Sequence, residues 1–265
     1  MVNEIRARGC PQGAGGVAAV ASVPKLNDAA RINASGTPLA DSLRQVGYRA
    51  AKSTSIFVRG TGRYDDALAR VLRHRFCGDV LDADYREFGT SRQGKDVMVV
   101  FARPFVAPSP ARADAISEQM LKLVNEARAQ PRTCGSENFA AVPPLRLSTQ
   151  LAHVALIHAR DMAQRGHMSH EGSDGSNVAQ RATRIGYQWR AVAENVAMGQ
   201  ETPDEALASW ISSPGHCVNV MSPKYTEMGV AFADNPESRA GTYWAQVFGL
   251  PRKDRPAKSP SKPGT

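Results

Sequence analysis

No run of apolar residues in this chain approaches the roughly 20 needed to cross a bilayer as a helix. The longest, such as Val97–Ala102 and Val192–Ala197, are of strand length or broken by a charge, which excludes a helical membrane span. Met1–Cys10 is polar and charged and lacks the apolar core of a signal peptide. There is no G-x-S-x-G turn to present a hydrolase serine. None of the cysteines stands in a C-x-x-C pair, which disfavours a zinc knuckle or a thioredoxin-type motif. Clustered positive charge is missing from the body of the chain: the net charge is +8, and Arg252, Lys253, Arg255, Lys258 and Lys262 against Asp254 supply half of it. The scattered remainder describes a solvated surface, not a nucleic-acid-binding face.

What is present is a chain of 265 residues, 42% hydrophobic, enough for one large or two small domains. Its cysteines are Cys10, Cys77, Cys134 and Cys217. An even number at wide spacing points to two disulfides and an oxidising compartment, in tension with the missing leader.

An internal repeat bears on that tension. Val2–Cys10 recurs as Val124–Cys134 with a two-residue insertion. Gly36 precedes Gly47-Tyr48 as Gly175 precedes Gly186-Tyr187, and Asp65-Asp66-Ala67-Leu68 returns as Asp204-Glu205-Ala206-Leu207. Cys77 stands before Tyr85, Glu87 and Gly89 at the spacings with which Cys217 stands before Tyr225, Glu227 and Gly229. Agreement of order and spacing predicts a duplication, with a first copy at 1–106, a Pro/Ala/Ser-rich linker at 107–111 and a second copy at 112–250. A Pro/Lys/Ser-rich basic tail, 251–265, reads as disordered. Corresponding cysteines then pair within each copy, Cys10 with Cys77 and Cys134 with Cys217. Met1 falls inside the helix that precedes the shared Val-Asn-Glu in the second copy, so a chain shortened at its start, and an export signal lost with it, are expected.

In the second copy, apolar spacing predicts helices at Asp114–Gln130, from Ser148 or Thr149 through Gln164, at Asn177–Ile185 and at Pro203–Ile211. Strands are expected at Met228–Ala233 and Thr242–Phe248, giving an α+β domain with a small antiparallel sheet. Ser213–Gly229 fits no regular element. Its Pro and Gly argue against a helix, Val218, Val220, Met221 and Met228 against a bare loop, and Pro223 against a strand, so it reads as the wall of a site.

Three polar positions of the second copy are candidate site residues: His170, Glu194 and His216. The duplication serves as an internal control, because a fold residue is needed in both copies and a site residue in one. Aligned without gaps, Arg31 stands opposite His170, Ser55 opposite Glu194 and Phe76 opposite His216. Glu227 matches Glu87, so a structural role is expected first and a place in the site second. His153 and His158 fall on different helix faces and read as core or surface residues. Trp189, Trp210 and Trp244 read as core anchors.

The blocks SHEGSDGS, GYQWRAVAENVAMGQ, SWISSPGHCVNVMSPKYTEMGVAFA and YWAQVFG resemble the CAP superfamily, or SCP domains: cysteine-rich secretory, antigen five and pathogenesis-related proteins, here the bacterial branch. The resemblance covers about 112–250 and implies an α-β-α sandwich, secretion, and a cleft lined by two histidines and two acids that in some members binds a divalent metal. It carries onto His170, onto Glu194 of A-E-N where the family has G-E-N, and onto His216 of the bacterial S-P-G-H block. Animal and plant members place their second histidine before Y-T-Q of the last strand, where this chain has Tyr243 before Trp244-Ala245-Gln246. The first copy resembles a smaller, degenerate domain of the same kind.

Two imidazoles and a carboxylate can hold Zn²⁺ or another divalent cation with a position open. They can equally work as an acid/base pair, Glu194 with His170, or fix loops as a hydrogen-bonded network. The expectation is a secreted or periplasmic binding module for a small molecule, lipid or envelope polymer. Its rivals are a metal-dependent hydrolase of peptide or envelope polymer, for which His170, Glu194 and His216 would be the catalytic set, and a scaffold with no working site.

Overall fold

A computed structural model describes residues 1–60 and 65–252, so the expected tail lies almost wholly outside the described residues. The chain divides into two compact units, Met1–Val106 and Ala107 onward.

In the first unit, α1 (Val2–Arg8) runs into a hairpin of β1 (Gly9–Cys10) and β2 (Gly13–Ala14). β3 (Ala21–Ser22) leads to α2 (Pro24–Ala34), which opens on Pro24, where a missing N–H costs nothing. There follow α3 (Leu39–Gln45), β4 (Ala50–Val58), α4 (Asp65–Arg75), α5 (Cys77–Leu81), β5 (Glu87–Gln93) and β6 (Asp96–Pro104). The strands lie in the order β3-β5-β6-β4, antiparallel except that β3 runs parallel to β5. The unbroken apolar run of β6 is buried on both faces. Val97, Val99 and Phe101 pack with Ile5, Leu72 and Val80, and Met98, Val100 and Ala102 with Leu26, Ala29 and Leu43.

In the second unit, a single 3₁₀ turn at Pro110–Arg112 enters α6 (Ala113–Arg128), followed by β7 (Arg132–Cys134), β8 (Glu137–Phe139) and β9 (Arg146–Leu147). α7 (Thr149–Arg165) is capped by the Ser148 hydroxyl and stopped by Gly166 at φ 63°, a left-handed turn that favours glycine. α8 (Val178–Arg184) begins with a capping box between Asn177 and Gln180. β10 (Trp189–Met198), α9 (Pro203–Ser212) capped by Thr202, α10 (Pro214–Met221), β11 (Glu227–Asp234) and β12 (Thr242–Pro251) complete the unit. The sheet order is β10-β12-β11-β9. On one face Trp210 of α9 and Met120 and Val124 of α6 meet Trp244 and Phe248; on the other Val154, Ala155 and Met162 of α7 meet Tyr243, Ala245 and Val247. The result is an α-β-α sandwich.

The two units share more than strand order. The pairing of the edge strand is shifted once in each, between Ala50 and Lys52 of β4 and between Trp189 and Ala191 of β10. Buried Arg6 donates to the carbonyls of Val80 and Asp82, and buried Arg128 to those of Val220 and Ser222. Tyr48 donates to Glu87 as Tyr187 does to Glu227. A Cβ on Gly89 would overlap the backbone of Leu26 and Asn27, and one on Gly229 that of Leu151 and Ala152, so strand and helix pack backbone to backbone in both units. Disulfides join Cys10 to Cys77 and Cys134 to Cys217.

Three details differ from the sequence expectations. Ser213–Gly229 is not irregular throughout: Pro214–Met221 is helical, because Pro214 occupies the first position of the helix, where proline is favoured. Trp189–Met198, which periodicity assigned to no element, is an edge strand. Arg31 is not the counterpart of His170. It sits within α2, which ends at Ala34 and reaches α3 through residues 35–38 alone, whereas residues 166–177 join α7 to α8 and carry His170.

Candidate functional site

Strand alternation sends neighbouring side chains of β10 to opposite faces of the sheet, Glu194 toward α7 and α8 and Asn195 toward α10. Glu194 is 2% exposed, and a carboxylate so buried needs a partner. Arg181 of α8, 3% exposed, supplies it at 2.7 Å to Oε2 and also donates to the carbonyls of Ser176 and His170. One guanidinium thus ties the carboxylate to the loop that carries His170.

The other oxygen, Oε1, faces two imidazoles. His170 Nδ1 lies at 3.0 Å and His158 Nε2 at 3.6 Å. His158 is fully buried on α7, and its Nε2 lies 2.7 Å from the carbonyl of Ser169, which only a ring N–H can satisfy. Its Nδ1 is buried without a partner. Burial holds the His158 pKa below the ordinary imidazole value. The bond to Glu194 raises that of His170, whose side chain is 60% exposed. His216, in the first turn of α10, is pushed down by burial and then by the neighbouring His170. The rings of His170 and His216 face each other with centroids 6.2 Å apart, tilted by 51°.

The candidate residues His170, Glu194 and His216 therefore come together at the edge of the sheet. Glu227 is engaged elsewhere, by the Tyr187 hydroxyl at 2.8 Å, as Glu87 is by Tyr48. Sequence reasoning missed Arg181 and read His158 only as a core or surface residue, which its burial on α7 bears out without its link to Glu194; comparison of the two units was the signal for both, since Asn33 and Ser42 stand at the matching positions of α2 and α3.

The sequence pattern of the cysteine-rich secretory protein family, CAP, matches residues 121–248. The second unit is a CAP domain. Over 140 residues the chain is 24% identical to the Bacillus subtilis protein YkwD, covering 53% of this chain and 49% of that one. Among solved structures, an extracellular SCP-domain protein of Bacillus anthracis shares 21% identity over 58% of this chain and 52% of its own, with a TM-score of 0.46. An outer surface protein of Borrelia burgdorferi shares 15% identity over 52% of this chain and 92% of its own, with a TM-score of 0.42. The chain spans about half the length of the first two of these relatives.

In this CAP domain both oxygens of Glu194 are already bonded within the protein, so the carboxylate orients His170 more than it offers itself outward. Among the described residues no three His, Cys, Asp or Glu side chains are grouped to hold a metal ion. The imidazoles of His170 and His216 are the candidate side chains for a divalent cation, with the remaining positions left for water or ligand atoms.

Proposed function

We propose that this chain is an exported bacterial CAP-domain protein acting as a binding module in the cell envelope or outside the cell, taking a divalent cation such as Zn²⁺, and through it a ligand, between His170 and His216. The observation that carries this is the facing pair of rings, 6.2 Å apart, with His170 braced by a buried glutamate. Because Nδ1 of His170 is turned to Glu194, Nε2 is the nitrogen on the open side. A carboxylate behind an imidazole is the arrangement that orients metal-bound histidines and raises their basicity. A bound cation would supply a centre for oxygen groups of a small molecule, lipid or envelope polymer. Catalytic zinc takes three protein ligands and a water. Glu194 is committed to Arg181 and His170, and Glu227 to Tyr187, so two ligands remain, which favours binding over hydrolysis.

Export is supported by the two disulfides, which persist in oxidising compartments, and by the secretory character of the family. No helix among the described residues is long and apolar enough to cross a membrane. We read the first unit as a smaller copy of the same domain without the site. Ser55 occupies the register of Glu194, Phe76 precedes its cysteine as His216 does, and the loop of His170 is absent.

Calorimetric titration of Zn²⁺ into the full chain at neutral pH tests the proposal. One site is expected in the wild type, weakened tenfold or more in His170→Ala and in His216→Phe. No binding to the wild type would overturn the metal site. Turnover of a peptide or envelope polymer that Glu194→Gln abolishes with Zn²⁺ still bound would favour the hydrolase.

A further inference from the structure

Behind His216 lies a cluster of three side-chain amides, two fully buried and the third, Asn219, half-buried, that the sandwich itself does not require. Asn195 of β10 and Gln246 of β12 are both fully buried, paired across the sheet at 3.2 Å through Asn195 Nδ2 and Gln246 Oε1. Asn195 Nδ2 also donates to the carbonyl of His216 at 3.2 Å. Its Oδ1 accepts from Asn219 Nδ2 at 2.9 Å, and that nitrogen also lies 3.3 Å from the carbonyl of Glu194. Gln246 Nε2 finds only the thioether of Met228, at 3.9 Å. Burying amides costs free energy unless their bonds are made, and a sulfur is a weak acceptor. A sheet position with no polar task is better filled by an apolar residue.

The first unit has such an apolar pair. Counting from the register shift in each edge strand, the fifth pair is Asn195 with Gln246 in one sheet and Ile56 with Val99 in the other. Two residues after the bridged cysteine, Asn219 is matched by Asp79. The same strand order is therefore built with a plain aliphatic pair where no imidazole follows, while the contacts that hold the fold, those of Arg6 and Arg128 and of the tyrosine–glutamate pairs, occur in both units.

We propose that Asn195, Asn219 and Gln246 are positioning residues that anchor the first turn of α10 to the sheet edge and so hold the His216 ring opposite His170. This rests on that pair being the binding site. Asn195 is the pivot: one face of its amide holds the His216 carbonyl, while the preceding residue, Glu194, braces His170 from the other side of the sheet. Two consecutive residues of one edge strand thus set the separation of two rings that arrive from opposite layers.

The test is Asn195→Ile/Gln246→Val, which installs the pair of the first unit and removes both partners together, a change expected to leave folding nearly intact. With melting temperature preserved, Zn²⁺ affinity is expected to fall about 10- to 100-fold, the usual effect of losing a group that orients a ligand. In carbon–proton spectra the His216 imidazole signal should leave its single wild-type position. Unchanged affinity together with an unchanged His216 signal would overturn the proposal. If the wild type binds no Zn²⁺ the metal reading fails, yet the His216 signal still decides the positioning role. Should the double variant not fold, Asn195→Asp keeps the acceptor for Asn219 and removes the donor to His216; the same displacement is expected, and its absence counts against the proposal.

Discussion

Glu194 and Arg181 form an ion pair from which water is almost wholly excluded, next to the candidate residue His170. At the corresponding positions of the first unit stand Ser55 and Ser42. Removing one member of such a pair strands the other charge at a cost of about 3–5 kcal/mol, whereas removing both is far milder. Arg181→Ser is therefore expected to lose that amount in urea unfolding, and Arg181→Ser/Glu194→Ser to regain most of it. A simple sum of the two single losses would contradict this account. His158 adds a pH dependence. Burial holds its folded-state pKa below the unfolded value near 6.5, so the unfolded chain binds the proton more readily. Its contribution to stability is complete above pH 6.5 and is lost as pH falls from there through the folded-state value. His158→Asn, which copies Asn33, should flatten stability below pH 6.5. His170 has the opposite sign, its contribution being lost as pH rises through a raised pKa, and its exposure makes that effect small.

Among the elements, the tightest fit is between α7 and β11, where Gly229 faces the backbone of Leu151 and Ala152. Gly229→Ala must part helix from strand, and a loss above the about 1–3 kcal/mol usual for overpacking is expected in denaturant unfolding, since backbone cannot yield as a side chain does. That glycine was legible in the sequence as one of a pair with Gly89, as were the helices with Ser148, Asn177 and Thr202 caps and the two apolar strands. β10 was not, because Glu194 and Asn195 interrupt its apolar pattern in mid-strand, where each is held by polar partners from other elements. α10 was hidden by Pro214 and Gly215, which mark a turn in most contexts; tertiary burial of Cys217, Val220 and Met221 makes the segment a helix. His170, Glu194 and His216 were found by motif, and Glu194 and His216 also by comparison with Ser55 and Phe76 of the first unit; the comparison of His170 with Arg31 did not hold. His158 was set aside because a helix-face argument within one element says nothing of what a strand across the sheet presents to it.

At the scale of the whole chain, each unit closes its own disulfide and buries its own core. The Cys10–Cys77 bridge spans 67 residues and the Cys134–Cys217 bridge 83. The apolar clusters of one unit, around Phe101 and Val100, share no residue with those of the other, around Trp244 and Val247. Closure of loops this long removes freedom from the unfolded chain worth about 4 kcal/mol each on the chain-entropy view. If the loop-closure term acts within units, each cysteine pair governs one transition. Calorimetry of the full chain is expected to show two unfolding steps. Cys10→Ser/Cys77→Ser should lower one of them, Cys134→Ser/Cys217→Ser the other, and a reducing agent both. The proposed Zn²⁺ site lies in the second unit, so added Zn²⁺ should raise only the step that Cys134→Ser/Cys217→Ser lowers, by an amount that grows with the logarithm of its concentration above Kd. A Zn²⁺ shift in the step governed by Cys10 and Cys77 would place a site in the unit from which Glu194, His216 and the His170 loop are missing, and would refute the division of labour between the two.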